Sequence, residues 1–227
     1  MSHAGISSNI NIFKADLAAA ATTGKEYVLG ETNSVSGGGA KDVSPLFGAA
    51  LWTMDYVLRA SNAGIKRTYF HHGTVGLCYY CWWGRYSMGA PYYGAYAATE
   101  AMAGGKYISA VDAGTTSYAV YAVYDEAKKP IKLVLYNSDF YSGSGTRGSQ
   151  TFALDGLTGA TATGRRLTAA SASTRVDTGG VVSFGGKTFA QGTCVEGGSE
   201  VVESVNVVGG KASFTVLASE AMVVYLQ

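Results

Sequence analysis

Glu31 stands in Gly30-Glu31-Thr32-Asn33, directly after the apolar run Tyr27-Val28-Leu29 and ahead of the glycine turn Gly37-Gly38-Gly39. The C-terminal end of a parallel strand is where (β/α) barrel enzymes gather their catalytic groups. A carboxylate there can act as the covalent nucleophile of a retaining glycosidase, with a second carboxyl about 5 to 5.5 Å away as acid and base. From position alone, a surface loop acid or a helix-capping acceptor is the plainer reading. The glycine turn adds an anion site, because backbone amides without a Cβ beside them approach a carboxylate closely and hold it without an arginine. An ordinary flexible turn is the plain alternative there. His71 and His72 end a second β-rich run. Strand alternation lets one of them face inward, as a substrate hydrogen-bond partner or a packed ring. The aromatic loop Tyr79-Tyr80-Cys81-Trp82-Trp83-Gly84-Arg85-Tyr86 suits the apolar face of a pyranose, with Arg85 available to a uronate or sulfate. The two tryptophans equally suit an interface between the halves of the chain.

The elements that must position these groups fall into two patterns. Residues 11–21 (NIFKADLAAAA) favour a helix stopped by Gly24; Ser44-Pro45 reads as N-cap and first helical position for residues 46–60; residues 65–70 (IKRTYF) read as a strand. Residues 91–102 read as a further helix. This is the rhythm of parallel βα units, but two strands are about a quarter of an eight-stranded barrel. The remainder is β-rich, with strands predicted over 117–124, 131–137, 150–154, 163–167, 181–184, 201–208, 212–217 and 221–226. That spacing is the mark of an antiparallel β-sandwich. The expected fold is therefore α+β multidomain: a partial (β/α) barrel segment over residues 1–105, then a β-sandwich over 106–227. Both faces of the strand over 117–124 are apolar or aromatic, which places it inside the sandwich or against the first domain.

Composition excludes several functions. Seventeen basic and 16 acidic side chains leave a net charge of +1, so no broad field attracts nucleic acid or an anionic membrane. No apolar run of about 18 residues could span a bilayer, and the N-terminus has no signal-peptide pattern. Thirty-one glycines, 16 tyrosines and 15% charged residues fit turns, strands and aromatic surfaces. Cys78, Cys81 and Cys194 fit one disulfide plus a free thiol or three thiols. No second C-x-x-C or H-x-x-x-H completes a zinc tetrad.

Residues 30–40, reading G-E-T-N-S-V-S-G-G-G-A, with Phe47-Gly48-Ala49-Ala50-Leu51-Trp52 and Asp55-Tyr56 after them, closely resemble glycoside hydrolase family 79, the β-glucuronidases related to heparanase. The resemblance covers residues 2–105, with a weaker likeness between the remainder and the family's C-terminal β-sandwich. It implies that Glu31 is the nucleophile and that the amides of Gly37 and Gly38 hold the uronate carboxylate. It also implies a tyrosine from the loop after the last barrel strand, for which Tyr80 is chosen among Tyr79, Tyr80 and Tyr86. Asn33, His71 and Arg85 complete the expected substrate contacts. Ser36 stands where some relatives have a tyrosine. The chemistry implied needs no metal or cofactor, and the family context implies secretion.

The family's acid/base carboxyl sits in an Asn-Glu pair on an earlier barrel strand, and no Asn-Glu occurs in this chain. Glu26 begins the strand that Glu31 ends, roughly 17 Å away at about 3.3 Å per residue. Glu100 and Asp55 are read as lying on outer helices. The expectation is thus part of a retaining enzyme hydrolysing terminal β-linked glucuronic acid from glycans. It is inactive alone and completed by a second chain or by self-association. The alternative is a non-catalytic, lectin-like or self-associating protein derived from such an enzyme.

Overall fold

The computed structural model describes residues 1–72 and 80–226; Cys78 and Tyr79, named above, lie outside them. Where one helix over 11–21 was predicted, the chain forms two, α1 (His3–Asn11) and α2 (Lys14–Thr22), with the break at Ile12 and Phe13. The Ser2 side chain caps α1 by accepting from the Gly5 N–H at 3.3 Å, and His3, Ile6, Ser7 and Ile10 form its buried face. Nothing on α2 is buried, so its alanine-rich propensity carries it.

Next come β1 (Val28–Thr32), α3 (Phe47–Ala63), β2 (Arg67–Phe70) and α4 (Ala90–Met102). The expected start of α3 is corrected. Leu46, not Ser44, is its N-cap and makes no side-chain cap, because Ser44 is buried and accepts from the Ala40 N–H at 2.9 Å. The end of α3 is Gly64, whose φ of +98° is the left-handed conformation a helix C-terminus favours. At Gly94, a Cβ would run into the Ala50 carbonyl oxygen, so glycine is what lets α4 approach α3.

The β-rich remainder comprises β3 (Tyr107–Ala110), β4 (Tyr118–Tyr124), β5 (Pro130–Asn137), β6 (Ser149–Leu154), β7 (Thr161–Ala169), β8 (Val182–Phe184), β9 (Thr188–Phe189), β10 (Glu196–Gly197), β11 (Glu203–Asn206), β12 (Ala212–Leu217) and β13 (Glu220–Tyr225). β3 was not anticipated; it pairs with β4. The strand predicted over 201–208 shortens to β11, leaving Val201, Val202 and Val208 exposed. Seven strands form one antiparallel sheet in the order β11-β7-β13-β5-β4-β3, with β8 added beside β7. The two-stranded sheets β6–β12 and β9–β10 are antiparallel, whereas β1 and β2 pair in parallel.

The large sheet is covered on both faces. On one, Ala119, Tyr121, Val134 and Val223 pack against Leu51, Met54, Tyr93 and Ala97 of α3 and α4. On the other, Leu135, Met222 and Val224 pack against Phe152, Phe214 and Val216 of β6 and β12. The alternation read along β4 is thus realised, with one face against the helices and the other inside the sandwich. A third cluster, with Ile6, Ile10, Leu29, Tyr56 and Ile65, seats β1 on α1 and α3. No helix among the described residues is long and apolar enough to cross a membrane.

Asp55, read as a residue of an outer helix, is wholly buried between α3 and the sheet. His3 lies between it and Asp112, with Nδ1 2.8 Å from Asp55 Oδ2 and Nε2 2.8 Å from Asp112 Oδ1. The Tyr121 hydroxyl donates to the other Asp55 oxygen, and the Gly114 and Val120 N–H groups donate to Asp112. Burial works against charging His3, yet the two carboxylates outweigh it and raise its pKa to about 9. The same contacts hold Asp112 down at about 2, while full burial pushes Asp55 up. An imidazolium donating from both ring nitrogens thus ties α1 to α3 and to the β3–β4 connection.

Candidate active site

Glu31 owes its direction to an irregularity in β1. Val28 pairs with Arg67 and Leu29 with Thr68, but the next pair is Thr32 with Phe70, so β1 advances three residues while β2 advances two. Leu29 and Thr32 both face α3: Leu29 packs in the cluster with Tyr56, and the Thr32 hydroxyl donates to the Tyr56 hydroxyl oxygen at 3.0 Å. Strict alternation from Leu29 would send Glu31 the same way. The extra residue is a β-bulge, a device that re-aims a side chain. It turns Glu31 to the open face, where its side chain is 76% exposed and Oε1 stands 3.9 Å from Nδ1 of His71.

The strand ends are locked together behind this pair. The His71 N–H donates to the Thr32 carbonyl at 3.0 Å, and the Asn33 side-chain amide donates to the His71 carbonyl at 2.7 Å. Asn33 Oδ1 in turn accepts from the Ser34 N–H at 2.9 Å. These bonds engage Asn33, expected as a substrate contact, in tying β1 to β2.

The glycine turn follows, with φ of +70°, +94° and +95° at Gly37, Gly38 and Gly39, a region costly for any residue bearing a Cβ. Ser44 fixes it from below by accepting from Ala40 and sharing a 3.0 Å hydrogen bond with Ser34. A Cβ on Gly39 would come within 2.8 Å of Ser44 Oγ and 2.9 Å of Tyr80 Cδ2. The Tyr80 ring therefore lies against the turn, joining the aromatic loop to the segment that carries Glu31. Gly37 and Gly38 are exposed.

The two histidines and the two tryptophans each divide. His71 meets Glu31, whereas His72 stacks on Trp83 with ring centroids 3.9 Å apart and planes 16° from parallel. Trp82 is buried against Phe70, which also contacts Trp52 and Tyr56, so this tryptophan takes the packing role. Trp83 remains 41% exposed. Arg85 is exposed, with its guanidinium 5.2 Å from the Tyr86 ring centroid, and no hydrogen bond or ion pair joins it to Glu31 among the described residues. Cys81 is disulfide-bonded and Cys194 is a free thiol.

Four other acids are engaged elsewhere. Glu26 pairs with Arg67 at 3.2 Å, Glu100 with Arg165 at 3.5 Å, and Glu203 and Glu220 with Arg166 at 2.8 and 2.7 Å. No group of three or more His, Cys, Asp or Glu side chains among the described residues could hold a metal ion. Sequence reasoning missed the bulge and the His3 cluster. For the bulge the local signal is Gly30, since a glycine inside a strand marks such an irregularity. For the cluster the signal is that residues 3, 6, 7 and 10 carry the helical periodicity of a buried face, hidden because two of the four are polar.

Comparison with known proteins adds four findings. Residues 120–223 match the family model described as the glycosyl hydrolase family 79 C-terminal beta domain. A β-glucuronidase of Aspergillus niger is 37% identical over 111 residues, which is 45% of this chain and 20% of that protein. The crystal structure of a 4-O-α-L-rhamnosyl-β-D-glucuronidase from Fusarium oxysporum, in complex with Rha-GlcA, superposes with a TM-score of 0.95 at 53% identity, covering 100% of this chain and 49% of that one. This chain therefore spans about half the length of that structure and a smaller share of the curated relative. A family 51 α-L-arabinofuranosidase from Thermotoga petrophila shares the fold alone, with a TM-score of 0.58 at 11% identity over 97% of this chain and 49% of that one.

Proposed function

Because this chain belongs to glycoside hydrolase family 79, of which it carries the C-terminal part, we propose that it is the nucleophile-bearing portion of a retaining β-glucuronidase. Its division is taken as a partial barrel over residues 1–105 and a β-sandwich over 106–227. The observation that carries the reading is the bulge in β1, which turns Glu31 out of the packed layer into the open face beside His71.

In this mechanism a Glu31 carboxylate oxygen attacks the anomeric carbon of a terminal β-linked glucuronic acid, forming a glycosyl ester as the bond to the leaving oxygen breaks. A carboxylic acid from the remainder of the barrel protonates that oxygen. The same group, now a carboxylate, then takes a proton from the water that releases glucuronic acid and restores Glu31. The uronate carboxylate rests on the amides of Gly37 and Gly38, with Tyr80 against the turn and Arg85 at the rim. His71 orients Glu31, and Asn33 keeps the ends of β1 and β2 in register. The substrate is a glycan ending in glucuronic acid, or in glucuronic acid bearing a further sugar as in the ligand of the Fusarium structure. A secreted enzyme acting on extracellular glycans fits the family context.

The deciding assay measures release of an aryl β-glucuronide by the chain alone and with a polypeptide supplying the missing barrel strands. Activity is expected only with the complement, and Glu31→Gln is expected to lower it by about 10⁴-fold or more, the scale of losing a catalytic group. Equal turnover by Glu31→Gln and the parent would sink the assignment. Glycan binding that persists without Glu31, with no hydrolysis under either condition, would instead favour a lectin-like role.

A further inference from the structure

We propose that the exposed face of Trp83, backed by His72, is a platform for a neutral pyranose joined to the glucuronic acid, forming a second sugar contact beside Glu31. This rests on the reading of Glu31 given above and extends it to the substrate's next ring.

The two tryptophans of the loop have opposite environments. Trp82 is 6% exposed and fills the layer behind β2, whereas Trp83 leaves 41% of its surface in water. One face of the Trp83 indole is covered by the His72 imidazole at 3.9 Å. The Trp83 backbone N–H donates to His72 Nε2 at 3.3 Å, which fixes the imidazole against the indole. With one indole face covered by the imidazole and the other open, the platform offers a flat apolar surface, which suits the C–H face of an uncharged sugar.

The platform is also held rigidly. Trp83 bridges Met88 across a tight hairpin closed by the Gly84 N–H to the Ser87 carbonyl at 2.8 Å, and the Gly89 N–H donates to the Trp82 carbonyl at 2.7 Å. From the β9–β10 connection, the Gly192 N–H donates to the Tyr86 carbonyl at 2.6 Å, and the Gln191 side chain donates to the Met88 carbonyl at 2.9 Å. A side chain that served only to fill space would not need such bracing while remaining in solvent. A rigid exposed ring, by contrast, loses little freedom when a ligand settles on it.

Location supplies the link to the reaction. A shallow concave surface is lined by Tyr69, His71, His72, Trp82 and Trp83, and His71 is the residue whose Nδ1 stands 3.9 Å from Glu31. The groove therefore runs from the nucleophile's partner to the indole.

The test titrates the full chain with glucuronic acid and with a rhamnosyl-glucuronic acid disaccharide, following tryptophan fluorescence and the indole N–H resonances. The parent is expected to bind the disaccharide about 10-fold more tightly than the monosaccharide, the scale of one aromatic stacking contact. Trp83→Ala is expected to erase that preference while leaving glucuronic acid affinity within about 2-fold. Trp83→Phe should retain part of it, and this variant keeps the test open if the alanine variant misfolds. A disaccharide preference that survives both substitutions, or is absent from the parent, overturns the platform alone. Failure of the parent to bind either sugar overturns the platform together with the glucuronate site on which it rests.

Discussion

His71 meets Glu31 at 3.9 Å with side chains 64% and 76% exposed, whereas His3 sits between Asp55 and Asp112 at 2.8 Å from each, with side chains 0%, 0% and 17% exposed. The residue types are the same and the consequences are opposite. In water a loose ion pair contributes little and leaves both partners free to meet a substrate. Away from water, each charge must be matched by hydrogen bonds, and the His3 cluster is matched from the Gly114 and Val120 amides and the Tyr121 hydroxyl. The buried arrangement therefore serves the fold, and the exposed one is available for chemistry.

The largest expected effect comes from breaking the buried side. Asp55→Ala removes one of two carboxylates from a buried imidazolium and is expected to lower unfolding free energy by about 3–5 kcal/mol in a denaturant titration. A loss under about 1 kcal/mol would show that the cluster is not a structural tie.

The next effect is a pH dependence of the same cluster. The folded-state pKa of His3, raised from 6.5 to about 9, means that its contribution is fully present below about pH 6.5 and is lost as pH rises through 9. The difference corresponds to on the order of 3 kcal/mol. Asp112, lowered to about 2, acts oppositely; its contribution is present above about pH 4 and lost as pH falls through 2. Melting temperatures from pH 4 to 10 should fall on the alkaline side, and His3→Gln should flatten that limb. An alkaline limb unchanged by His3→Gln would assign the dependence to other groups.

The smallest effect is the sharpest contrast. His71→Ala is expected to change stability by no more than about 0.5 kcal/mol, as for an exposed side chain. In the complemented enzyme it should nonetheless lower turnover of an aryl glucuronide roughly 10- to 100-fold by releasing Glu31 from its orientation. A stability loss comparable to that of Asp55→Ala would erase the distinction between the two regions.

Much of the site could be read from local sequence because its signals are local. The glycine turn declares itself by residue type, the end of β1 by the change from apolar run to Gly30-Glu31, and the sandwich strands by alternation. Of the tyrosines in the aromatic loop, Tyr80 lies against Gly39, a contact no local pattern gives. The sequence is weakest where a residue's role depends on which of several partners packs beside it. Ser44 before Pro45 has the form of a helix cap, but the glycine turn claims its hydroxyl. β3 shows its β character only once β4 is beside it.

By itself, then, the sequence determined residue types, periodicities and their order: a carboxylate at the end of a strand, glycines able to adopt positive φ, and apolar faces that must be covered. The tertiary structure decided direction and environment. One extra residue in the pairing of β1 with β2 turns Glu31 into the open, and packing of α1 and α3 on the sheet encloses His3 and Asp55. Strand register and burial are set by partners distant in the chain, and those two quantities determine whether a histidine and a carboxylate form a tie within the fold or a site for chemistry.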